Sequence, residues 1–180
     1  MNAAISLVLL LAASGVSAGE DATKRWSPAN KGFACEIPRA WQAFDEEEPQ
    51  GSVAHILGPD NPAGTYRTGI DVHWVERGQP GFVEWKDAVE RMRRADKETS
   101  REASPVRLFR TGGTLARVFE VTENRRLPPD RLPSSEQALH HYVAVVPSGS
   151  SYYIVRLSST RDVYLDYKDE WARFLKTFRP

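Results

Sequence analysis

Tyr152-Tyr153-Ile154-Val155-Arg156-Leu157-Ser158 decides how this fold is read. The run is rich in β-branched and aromatic residues and follows Pro147-Ser148-Gly149-Ser150, a cluster of turn formers. With the equally apolar 139–146 ahead of the turn, it predicts an antiparallel hairpin. After it the period changes. Across 163–176 the residues Tyr167, Trp171, Phe174 and Leu175 recur on one side of a helix. The acids Asp166, Asp169 and Glu170 precede the bases Arg173 and Lys176, as the helix dipole favours. Ser159, with Asp162 three residues on, is the expected N-cap.

Earlier segments repeat the alternation of half-buried strands. Phe33, Cys35 and Ile37 share one face of a strand over 33–37. Segments 53–57 and 69–75 predict a hairpin around the turn-rich spacer Gly58-Pro59-Asp60-Asn61-Pro62-Ala63-Gly64. Segments 106–110 and 115–122 predict a tighter one around Gly112-Gly113. Between these lies a second helical pattern over 82–95, with Phe82, Trp85, Val89 and Met92 on one face and Pro80-Gly81 at its start. Asp87/Arg91 and Glu90/Arg94 stand at i,i+4 on its solvated side. Hairpins with two amphipathic helices describe an α+β domain: a mostly antiparallel sheet of about six or seven strands flanked by helices. The connection 123–137 holds Pro128, Pro129 and Pro133 and is expected to be an irregular surface loop.

The front of the chain is different. Residues 3–16 are apolar and uncharged and end in Val16-Ser17-Ala18, a small-x-small pattern that predicts a signal peptide, 1–18, cleaved after Ala18; no Lys or Arg precedes the run, so an uncleaved N-terminal anchor is the alternative. The run is short for a bilayer-spanning helix of about 20 residues, so no membrane insertion is expected after cleavage. The protein is then periplasmic or secreted, with a flexible polar tail over 19–28 and one domain over 29–180. Its 24 basic and 24 acidic side chains cancel, which removes the electrostatic basis for binding nucleic acid. A single cysteine rules out an internal disulfide, so the core must supply the stability.

Two motifs carry a family resemblance. The first is Phe33…Ile37-Pro38-x-x-Trp41, and the second is the strand 152–158 followed by a helix with Tyr167, Trp171 and Phe174, then Phe178. In this arrangement the chain resembles the PsbP/DcrB-like family of exported α/β/α sandwich domains. That family usually has Pro-x-Gly-Trp at the first motif, where Ala40 stands here. The resemblance spans roughly residues 26–180 and implies binding to other proteins without catalysis. Members of the wider fold include a photosynthetic extrinsic subunit, a nuclear import factor, envelope lipoproteins and chaperones for secreted effectors. Both motifs consist of core and turn residues, so they imply a fold and carry no site residue with them.

Reactive groups are sparse. Cys35 alternates with Phe33 and Ile37 and reads as a buried structural cysteine. His140 and His141, adjacent in a strand, point to opposite faces and do not share a metal. His55, Asp71 and His73 fall on one face of a predicted hairpin, and define the alternative reading of a periplasmic metal-binding protein or hydrolase. The acidic run Asp45, Glu46 and Glu47, and the bases Arg125, Arg126 and Arg131, are read as surface loops able to bind a partner. No phosphate loop, dinucleotide fingerprint or nucleophile elbow occurs, and no cofactor is expected. The leading expectation is an exported, non-catalytic domain that binds a protein or ligand in the bacterial cell envelope.

Overall fold

The computed structural model describes residues 22–29, 32–48, 51–130 and 132–180. The expected signal segment 1–18 and Arg131 lie outside the described residues. In chain order the elements are β1 (Thr23–Trp26), β2 (Cys35–Pro38), β3 (Gln42–Glu48), β4 (Gly51–Asp60), β5 (Arg67–Val75) and α1 (Trp85–Arg93). After them come β6 (Glu102–Ala103), β7 (Arg107–Thr111), β8 (Thr114–Leu127), β9 (Ser135–Ser148), β10 (Ser151–Thr160) and α2 (Lys168–Thr177). An eight-stranded antiparallel sheet runs β3-β4-β5-β10-β9-β8-β6, with β7 also pairing on β8. The stretch 152–158 lies in its central strand. There β10 pairs with β9 on one side (Val155 opposite Ala144) and with β5 on the other (Val155 opposite Val72).

The first described strands meet the C-terminal residues. β1 and β2 form a separate ribbon, and Ala34 exchanges backbone hydrogen bonds of 2.9 and 2.8 Å with Arg179. Around that bridge Phe33 packs on Trp26, Tyr153 and Phe178 with ring centroids 5.0–5.8 Å apart. Trp41 closes the turn after β2, its amide donating to the Pro38 carbonyl at 3.0 Å. Ala40 keeps an ordinary negative φ, so this turn needs no glycine. Gly112 does need to be one. Its φ is +53°, and a Cβ there would stand 2.9 Å from the Phe178 carbonyl oxygen.

All three predicted hairpins form, but several expectations are corrected. Residues 23–26 of the expected tail are a strand, because Trp26 pairs with Cys35 and its ring covers Phe33. The acidic run is the edge strand β3, not a loop; paired with β4, it places charge along an open edge, which discourages association through it. The connection 123–137 is mostly strand, because β8 and β9 extend as paired arms as far as Leu127 and Ser135. The prolines break only the residues between. Ser159 is not a helix cap but a buried β10 residue; a 3-10 turn over Tyr164–Tyr167 leads into α2, whose N-cap position is Tyr167. α1 begins at Trp85 because Gly81 turns the chain with φ +80°.

Alternation splits the core in two. On one face Ala144, Val146, Tyr153, Val155 and Leu157 pack with Trp171, Phe174 and Leu175 of α2 and with Phe178. On the other, Phe119, Val121, Val143, Val145 and Tyr152 pack with Ala88 and Val89 of α1.

Candidate functional site

The α1 side holds a cavity of about 450 Å³ between the helix, the loop before it and five strands. Register explains which side chains reach it. Val53 of β4 stands opposite His73 of β5, His73 opposite Ile154 of β10, and Asp71 and Val143 on either side of Arg156. Because strand side chains alternate, every second residue of each strand turns to this face. Gln79 to Val83 and the α1 residues Ala88, Arg91 and Met92 complete the wall. α1 is nine residues long and spans only part of the face.

A cluster of charge borders the cavity. The Glu123 carboxylate, side chain 8% exposed, receives Arg125 Nε at 2.8 Å and Arg101 at 3.5 Å. The His141 ring, also 8% exposed, brings Nε2 to 3.6 Å from it. His141 holds the Glu123 carboxyl down, at about 2, with Arg125 adding to the effect against the cost of burial. At 3.6 Å the histidine contact is long for a hydrogen bond, so Arg125 is the firmer hold. Burial pushes His141 below the ordinary histidine range, which keeps the ring neutral at pH 7. Its Nδ1 lies 2.7 Å from Ser158 Oγ, and Ser158 in turn hydrogen-bonds the Tyr66 hydroxyl. Arg101 also donates to the Met92 carbonyl at 2.7 Å, tying β6's approach to the end of α1.

Two polar atoms on this wall, Gln79 Oε1 and Arg101 Nε, are buried without a hydrogen-bond partner, and His141 Nε2 has only its long contact to Glu123. Native interiors seldom leave such atoms orphaned, and each costs about 1–3 kcal/mol when they do.

The linkage Ser158–His141–Glu123 has the order of residue types found in hydrolase triads, but its geometry is structural. Ser158 sits behind His141 rather than on the cavity wall. Its main chain pairs with Gly69 and His141 within the ladder.

The residues singled out from sequence are scattered over the sheet. His55 Nδ1 contacts Asp71 at 2.9 Å, and Asp71 also accepts from Arg156 at 3.2 Å. His73 lies one position farther along the same face and lines the cavity. With a guanidinium already on its one carboxylate, this trio does not converge as a metal centre. Among the described residues no group of three such ligands does. Arg125 and Arg126 point to opposite faces of β8. Arg125 joins the cavity, whereas Arg126 stays exposed, 3.5 Å from Ser134 Oγ. Asp45 and Glu46 likewise alternate along β3; Asp45 accepts from the Ala29 amide at 3.2 Å. Cys35 is buried, its thiol pushed up to about 12 by desolvation and then by Glu36.

Sequence reading missed Arg101, Glu123, His141 and Arg156 as a group. They come from four separate segments that only the register brings together. The one available signal was a histidine, a glutamate and arginines within otherwise apolar strands.

The fold is that of PsbP-like proteins. The structure resembles cyanobacterial PsbP (CyanoP) from Synechocystis with a TM-score of 0.52 and 15% identity, over 94% of this chain and 98% of that one. It resembles LpqN of Mycobacterium tuberculosis, involved in cell envelope biogenesis, with a TM-score of 0.54 and 10% identity, over 87% and 90%. It also resembles PA94, a Pseudomonas aeruginosa protein of unknown function, with a TM-score of 0.51 and 14% identity, over 83% and 91%. No family model and no curated protein matches the sequence. Among the described residues no helix is long and apolar enough to cross a membrane.

Proposed function

We propose that this protein is an exported, non-catalytic domain of the bacterial cell envelope, layered as an α/β/α sandwich, that binds a small ligand in the cavity beside α1. The carrying observation is one space of about 450 Å³ whose wall combines apolar side chains with a buried cluster of Glu123, His141 and Arg101. That volume falls within the range of about 300–1,000 Å³ typical of small-molecule sites. The apolar N-terminal run and the structural likeness to an envelope protein support the location.

The test is to recover the chain from its host's envelope fraction, sequence its N-terminus and titrate it with the neutral apolar dye Nile red. A start at Gly19 and saturable one-to-one binding are expected. Val83→Trp, a change on the loop before α1 that fills the cavity without altering a strand, abolishes that binding. Dye binding that survives in Val83→Trp places the ligand elsewhere and overturns the proposal.

A further inference from the structure

Resting on the reading that this cavity holds a ligand, we infer that the ligand is an amphipathic anion: an apolar body lying along the strands, with an oxyanion head between Arg101, Arg156 and His141. The first observation is charge. Arg91, Arg101, Arg125 and Arg156 line the space, opposed by Glu123 on the wall and by Asp71 against Arg156. Four guanidinium groups face two carboxylates, and His141 is neutral. The site keeps a positive excess inside a chain whose total charge is zero. Arg91, Arg125 and Arg156 are exposed enough for solvent to screen part of this excess, and what remains favours an anion.

Direction of donation is the second observation. The His141 proton sits best on Nε2, which looks toward the Glu123 carboxylate, while Nδ1 accepts from the Ser158 hydroxyl. Nε2 is then a donor with only the long contact to Glu123, and the orphaned Arg101 Nε is always a donor. Arg101 Nε is a buried donor lacking an acceptor, and with His141 Nε2 held only loosely by Glu123 it stands beside surplus guanidinium, a setting that favours a carboxylate or phosphate oxygen. The other orphan, Gln79, presents either its oxygen or its amide nitrogen by rotation and fits any polar group at its end of the space.

The third observation is the remaining wall, supplied by Val53, Phe82, Val83, Met92, Val143 and Ile154. These offer no hydrogen bonds and favour a hydrocarbon body. Carboxylate and phosphate heads both meet this chemistry, and the arms of the test separate them.

The experiment titrates the full chain as isolated with decanoate, decyl phosphate, decan-1-ol and decylamine, each below its aggregation concentration, by displacement of Nile red. Decanoate or decyl phosphate is expected to bind at least about tenfold more tightly than the alcohol and the amine. The tighter of the two identifies the head. Arg101→Gln should erase most of that preference while leaving decan-1-ol unchanged. Arg91→Glu, a change at an exposed residue on the rim of the cavity, should reduce it in the same direction. If decan-1-ol binds as tightly as decanoate, the anion inference falls while the ligand-binding reading stands. The anion inference also falls if Nile red saturates the cavity and no decyl probe displaces it. If neither dye nor probe binds, both fall together.

Discussion

The two faces of the central sheet solve different problems with the same strands. The α2 face is closed by rings: Tyr142 stacks on Trp171 at 6.0 Å, Tyr153 meets Phe178 at 5.4 Å, and Phe174 meets Phe178 at 5.8 Å. Thr111 caps that helix by donating to the Leu175 carbonyl, and lies 3.1 Å from the Phe178 carbonyl. The α1 face carries a shorter helix, a cavity and a buried cluster of opposite charges. Adjacent residues of one strand serve both, as Tyr153 and Tyr152 do in β10. The difference teaches that the ring-closed core and the charged cavity are divided by parity along the strands, not by region of the sequence.

The largest expected effect tests that division directly. Phe178 is fully buried and touches Phe33, Tyr153 and Phe174. Phe178→Ala should cost about 3–5 kcal/mol in urea unfolding, as cavity-forming changes do. Phe82→Ala removes the same ring from the α1 side, where Phe82 is only partly buried, and should cost about 1–2 kcal/mol. Equal losses from the two variants would break the comparison.

How much was legible follows from the same geometry. The aromatic residues of the α2 face and the three hairpins announce themselves through local signals: helical spacing, alternation, and turns at Gly112-Gly113 or Pro147 to Ser150. β3 does not, because an edge strand rich in acids lacks an apolar face, and only its pairing with β4 makes it a strand. The arms of β8 and β9 beyond Asn124 were hidden by nearby prolines, although pairing continues up to Leu127 opposite Ser135. The cavity is the least legible part. Its arginines, histidines and Glu123 are neighbours only across strands, at distances fixed by register.

Acid should separate the faces next. Glu123 has its folded-state pKa depressed, so its stabilisation is complete above the ordinary carboxylate range and is lost as pH falls toward about 2. His141 is also held low by burial, so below the ordinary histidine range the unfolded chain gains a proton that the folded one resists. Both effects destabilise the protein as pH drops, and both lie on the α1 face. In Glu123→Gln the first is absent. With solvent reaching the open side of the cavity, the wild type should lose about 1–2 kcal/mol more than Glu123→Gln between pH 6 and pH 2.5. Parallel losses, read from urea midpoints across that range, would show that the charge cluster does not govern the acid response.

The smallest effect is the sharpest test of parity. Arg125 and Arg126 are neighbours of identical chemistry, and composition or local pattern cannot tell them apart. In the sheet Arg125 turns to the cavity and holds Glu123 at 2.8 Å, whereas Arg126 turns away and stays exposed. Arg125→Ala removes the closest partner of a nearly buried carboxylate and should cost about 1 kcal/mol, a loss that shrinks as pH falls and Glu123 takes up a proton. Arg126→Ala should change stability by less than about 0.5 kcal/mol and respond little to pH, as exposed pairs do. If the two substitutions behave alike, the β8 arm is not anchored in the described register. The assignment of Glu123 to the cavity would then fall with it, because one residue of slip moves that carboxylate to the α2 side.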